Sequence, residues 1–220
     1  DTYARALDLD EAVRYYEALY DVTNGAGKAY GDAPAALFNA GFLRVGMGDF
    51  QGAAQTFERY EAENAAEPDA EQVLFMAAEQ WGRVSDDQEL RFYRRYLKKY
   101  PTQNPDHIIE AYARTAAIVE TRGRVRDTDR AYADLSAAYD EFAPSGRVGP
   151  AGRKYAAKAK LREVMAQLED FTAVPSWFKT NETKAAALLT TKKDELPLIE
   201  KEAGELVAKY KDFEASSAAL

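Results

Sequence analysis

The sequence predicts an all-α protein in two parts: stacked helix pairs first, then long coiled-coil-like helices. Three observations carry this. Apolar residues recur at helical spacing, as in Leu37, Ala40 and Gly41 followed by Phe50, Ala53, Phe57 and Tyr60. Alanine and tyrosine are heavily used while β-branched residues are sparse, which favours helix over sheet. From Ala185 to Phe213 the apolar positions step by four and three in alternation. At 220 residues, 46% hydrophobic and 30% charged, the chain is long enough to bury a core and too apolar to be mostly disordered.

The first element is an amphipathic helix over 9–22, with Leu9, Val13, Tyr16, Leu19 and Tyr20 on one face and Asp8 or Asp10 as its cap. Residues 24–32 read as a loop. The stretch Pro34–Pro68 then reads as two helices joined by Gly46-Met47-Gly48-Asp49. Leu37, Ala40, Gly41 and Arg44 share the inner face of the first helix. Phe50, Ala53, Phe57 and Tyr60 share that of the second. Small residues at Gly41 and Ala53 let the two approach closely, and Pro68 marks the exit.

The next pair begins at Asp69, an N-cap candidate with Gln72 three residues on. Val73, Met76, Ala77 and Gln80 face inward, Ser85-Asp86-Asp87 form the turn, and Leu90, Tyr93, Tyr96, Leu97 and Tyr100 mark the second helix, ended by Pro101. A third pair covers 108–121 and 127–142, with Ala131, Leu135, Ala138, Tyr139 and Phe142 inward. The Pro- and Gly-rich segment 144–152 is the expected boundary between the repeats (1–143) and the C-terminal helices (153–220). In the helix over 154–174, Tyr155, Ala159, Arg162, Met165, Ala166 and Glu169 share a face. Pro175-Ser176-Trp177-Phe178 breaks it. The seam that follows is Ala185, Leu189, Lys192, Leu196, Ile199, Ala203, Leu206, Tyr210 and Phe213, with Lys192 its one charge. Pro197 predicts a kink or a helix restart. The seam is expected to pack on 154–174 in cis, with self-association through 185–213 as the alternative.

Pro34–Pro68 resembles the tetratricopeptide (TPR) repeat. Leu37 stands where that family has Trp, Ala40-Gly41 where it has Leu-Gly, and Arg44 where it has Tyr. Gly48-Asp49-Phe50 matches its Gly-Asp-Tyr turn, Ala53 its alanine and Phe57 its aromatic. Equating Ala12, Ala53, Glu89 and Ala131 gives steps of 41, 36 and 42 residues, longer than the family period of about 34. The resemblance implies a TPR-like solenoid whose first helices line a groove. It places Ala35, Phe38, Phe42, Val45 and Gly46, then Glu71, Leu74, Ala78, Trp81 and Gly82, on that groove. Phe38, Phe42 and Trp81 would be the anchors for a protein or peptide. The alternative is that these residues pack on an adjacent helix. Asn39 is the one near match to the carboxylate clamp of one TPR subclass, whose lysines are missing here. The order of parts is also similar to large bacterial envelope and gliding-motility TPR proteins.

Chemistry that would contradict a binding role is not visible. The net charge of −8 disfavours nucleic acid, and the local basic runs are interspersed with acids on helix faces. There is no cysteine, hence no disulfide and no thiolate metal site. No run approaches the length needed to span a bilayer. The Gly25-Ala26-Gly27-Lys28 loop lacks the first glycine and the Ser/Thr of a P-loop. His107 has no nucleophile and orienting acid at a telling spacing. The acidic clusters Asp8-Asp10-Glu11, Asp86-Asp87-Glu89 and Asp127-Asp129 suit helix starts and lack calcium-loop spacing. The expected function is therefore a non-catalytic protein-binding scaffold without cofactor or metal, part of a larger bacterial envelope or motility complex. A peptide-sensing module and, last, a helical enzyme are the alternatives. The expected compartment is the periplasm or cell envelope, with the cytoplasm as alternative. The opening at Asp1 without methionine and the unsignalled stop at 215–220 read as a processed chain or an excised piece.

Overall fold

The computed structural model describes residues 8–25 and 33–210. Among them every regular element is helical: α1 (Leu9–Gly25), α2 (Ala33–Met47), α3 (Phe50–Glu63), α4 (Ala70–Gly82), α5 (Asp86–Lys99), α6 (Pro105–Thr121), α7 (Val125–Phe142), a 3-10 turn (Ala143–Ser145), α8 (Pro150–Thr172) and α9 (Glu182–Tyr210). Chain neighbours pack as pairs, and the helices fall into two units, Asp1–Asn104 and Pro105–Leu220. The Pro/Gly segment 144–152 lies inside the second unit, where α8 packs back on α6 and α7.

In the first unit, Asp8 caps α1 through Oδ1 to the Glu11 N–H, 3.2 Å. The buried face of α1 is Ala12, Val13, Tyr20 and Thr23. Leu19, expected inward, is exposed, and with Tyr15 and Val22 it forms an outward stripe. Asn24 and Gly25 belong to the last turn of α1 rather than to a loop; the rest of that expected loop, with Lys28, lies outside the described residues.

The α2–α3 turn is tight. Gly48 has φ 78°, a left-handed backbone that glycine adopts without steric cost. Asp49 then caps α3, its Oδ1 accepting the Gly52 N–H at 2.9 Å. A side chain at Gly41 would meet the buried ring of Phe57, so the missing Cβ lets α2 lie directly on that ring. Arg44 is not an apolar contact. Its guanidinium joins Glu17 of α1 at 2.8 Å and Asp49 at 2.7 Å, tying two helices to the turn.

Asp69 stands at the N-cap position of α4 as expected, but its side chain makes no cap bond; its Oδ1 accepts from the Tyr60 hydroxyl at 2.7 Å instead. The following turn is Arg83–Ser85, and Asp86 and Asp87 already belong to α5. Beside α4, Glu61 of α3 is wholly buried. It takes Arg95 at 2.8 Å, the Tyr100 hydroxyl at 2.9 Å and Lys99, while Glu58 takes Arg95 at 2.7 Å. This cluster links α3 to α5 across the chain.

In the second unit Asp106, in the first turn of α6, caps α8 from a distance. Its Oδ1 accepts from Gly149 N (2.9 Å) and Gly152 N (3.2 Å). A Cβ at either glycine would strike that carboxylate, at 2.3 and 2.6 Å respectively. Asp106→Ala is expected to cost about 1 kcal/mol, read as a lowered urea midpoint, with Asp106→Asn retaining most of it. The face of α8 is rotated from the expected one. Gly152, Ala156, Ala157, Ala159 and Val164 are buried, while Met165, Ala166 and Glu169 are exposed. Small residues prevail there because α8 must fit against both α6 and α7. Helix α9 runs through Pro197 without a restart.

Many tyrosine hydroxyls are part-buried. Burial, then the hydrogen bond to Glu120, pushes Tyr132 up to about 12. Burial first also raises Tyr20, Tyr96, Tyr100, Tyr155 and Tyr210. A folded value above the ordinary 10.0 favours the neutral phenol, so this stability is whole below pH 10.0 and is lost as pH rises through the folded values. The urea midpoint is expected to hold up to about pH 9 and to fall steeply by about pH 11. An unchanged midpoint there would contradict the burial.

Candidate functional site

The apolar residues expected at a partner groove separate into two groups. Phe38, Phe42 and Val45 sit on α2. Phe57 and Tyr60 of α3 are buried, Phe38 packs on both at ring-centroid distances of 5.9 and 6.3 Å, and Phe42 stacks outward on Phe38 at 6.4 Å and 18°. The column therefore runs from core to surface and ends on Phe42, 60% exposed. Val45 and Ala35 are half-buried beside it.

Leu74, Ala78 and Trp81 are inside. Leu74 and Ala78 are wholly buried and Trp81 is 6% exposed, its ring 5.8 Å from Phe92 of α5. The reason lies in α4 itself. Val73, Leu74, Phe75, Ala77 and Ala78 leave it apolar nearly all round, and such a helix is covered on more than one side, here by α3 and α5. The expected groove in that repeat is filled by neighbouring helices, the alternative the residues allowed from the start.

The second unit holds a surface that spacing alone did not locate. Of the α9 seam, only Leu206 and Tyr210 are buried, the latter against Tyr139 at 4.9 Å. Leu189 and Leu196 are exposed, as is neighbouring Leu198; Phe213 lies outside the described residues. A cleft of about 520 Å³ opens between α8 and α9, with Phe171, Pro175, Leu188, Leu198 and Ile199 among its walls. Lys192, the one charge of the seam, donates to the carbonyls of Phe171 and of Ala173 (3.1 Å) at the end of α8. It supplies partners to carbonyls that a helix C-terminus leaves free. At the other end Lys160 holds Glu202 at 2.5 Å, which keeps that carboxyl below its usual range.

No family model and no curated protein matches the chain. The fold and the side chains carry the functional reading. Among the described residues, no group of three or more His, Cys, Asp or Glu side chains is placed to hold a metal ion. No helix there is long and apolar enough to cross a membrane. His107 is half-buried in the first turn of α6. What the described surface does offer is apolar contact: Tyr15, Leu19 and Val22 on α1, Phe42 on α2, and the α8–α9 cleft.

Proposed function

We propose that this protein is a non-catalytic scaffold of TPR-like helix pairs that binds a protein partner through exposed apolar surface of its first unit. The observation that carries the reading is Phe42. A core aromatic column holds it, yet it ends in solvent, the arrangement of a preorganised hot-spot anchor. The close approach of α2 to Phe57 at Gly41, and the Gly48-Asp49 turn, support the repeat reading. The finer proposal is a part of a larger bacterial envelope or motility assembly; the lack of cysteine fits the periplasm and the cytoplasm equally. Sedimentation of the endogenous protein in native extract separates the roles. A scaffold travels within one large, stable complex. Migration at the size of the chain alone, with only a transiently bound peptide, would favour a sensing module instead.

A further inference from the structure

We propose that the α8–α9 cleft is a second docking site, taking an amphipathic helical segment of a partner protein with an apolar face flanked by Lys or Arg. The shape gives the first argument. The α9 side of the cleft is lined by Leu188, Thr191, Lys192, Glu195, Leu198, Ile199 and Glu202, one helical face extending about 21 Å. A cleft running along one helix for that length suits an elongated occupant, the helix-in-groove mode. Leu198, 61% exposed, and the half-buried Phe171, Leu188 and Ile199 provide apolar contact along it.

Charge selects the occupant. The lining carries Asp170, Glu195 and Glu202 against Lys192 alone. The Lys192 ammonium is engaged by the α8 carbonyls and the Glu202 carboxylate by Lys160 and Gln167. Among the described residues, the side chains of Asp170 and Glu195, one on each wall, are exposed and have no hydrogen-bond or ion-pair partner. An apolar floor between two unengaged carboxylates complements a helix with a Leu-rich face and basic edges. It repels an acidic one.

The test uses the full chain and labelled synthetic peptides of about 18 residues, five helical turns. One is a Leu–Lys amphipathic helix, one its Leu–Glu counterpart, and one a Lys–Ser peptide without an apolar face. Fluorescence anisotropy at physiological ionic strength is expected to show saturable binding of the Leu–Lys peptide alone. Asp170→Asn with Glu195→Gln should weaken it about tenfold, whereas Asp10→Asn with Asp86→Asn, an equal charge change elsewhere, should not. Leu198→Asp should also abolish binding, with helicity by circular dichroism unchanged because the side chain is at the surface. Equal weakening by both charge pairs, binding of the Leu–Glu or Lys–Ser peptide, or no binding at all would overturn the proposal. So would a dimer in sedimentation that Leu198→Asp dissolves, since the cleft would then serve a second copy. Phe42→Asp should leave peptide binding intact, so the two sites fail separately.

Discussion

Glu61→Ala is expected to destabilise the first unit by about 3 kcal/mol, measured by urea denaturation followed by circular dichroism. The carboxylate is wholly buried and serves Arg95, Lys99 and the Tyr100 hydroxyl together. Deleting it leaves Lys99 and the Tyr100 hydroxyl without this acceptor and Arg95 with Glu58 alone. The figure sits at the low end for a broken buried pair because Arg95 and Lys99 are 35% and 38% exposed and can turn to water. Arg95→Met should therefore cost less, since Glu61 keeps Lys99 and Tyr100. Glu61→Gln should fall between the two, retaining an acceptor for Tyr100. If Glu61→Ala changes stability by less than about 0.5 kcal/mol, the carboxylate is not desolvated and the α3–α5 link is not structural.

Gly41→Val should be about as damaging, near 3 kcal/mol. A Cβ at this position lies 2.5 Å from Phe57 Cε1 and 2.8 Å from Cδ1. The ring is enclosed and has no exit. Gly41→Ala sets two effects against each other: a gain of about 1 kcal/mol in helix propensity and a collision with that ring. The collision prevails if α2 and α3 are as close as they stand. Phe57→Leu in the Gly41→Ala background should then recover part of the loss, giving a double-mutant coupling of rescuing sign. Strict additivity would mean the helices separate freely, and the close pairing on which the repeat reading rests would be gone.

How much of this was legible in the sequence depends on which kind of residue carried it. Helix positions followed from apolar spacing, since one buried face per helix is what spacing records. Faces were less legible where a helix has more than one partner. In α4 the residues expected to line a groove are core because α3 and α5 both cover it. In α8 small residues, rather than large ones, mark the packed side. Polar roles were hidden for a different reason. Glu61, Asp69, Asp106 and Lys192 all look like surface charges, and their partners lie 9 to 46 residues away, or on backbone carbonyls. Two of them carried a signal: Lys192 as the single charge in an otherwise apolar seam, and Asp69 as a helix start, though not for its bond to Tyr60. Phe42 was legible as a candidate anchor and stands at the surface; its exposure depends on Phe38 turning it outward, which spacing does not encode.

The central claim is that the first unit binds a protein partner at Phe42. Its most direct measurement is co-purification from native extract of the protein's own source, wild type against Phe42→Asp, with the urea midpoint of both proteins in hand. The expected result is a stoichiometric partner set that is lost in the variant while the midpoint stays within about 0.5 kcal/mol of wild type, as for a surface substitution. The same set retained at the same stoichiometry would contradict the claim. A variant that unfolds would also contradict it, placing Phe42 in the core instead of at an interface.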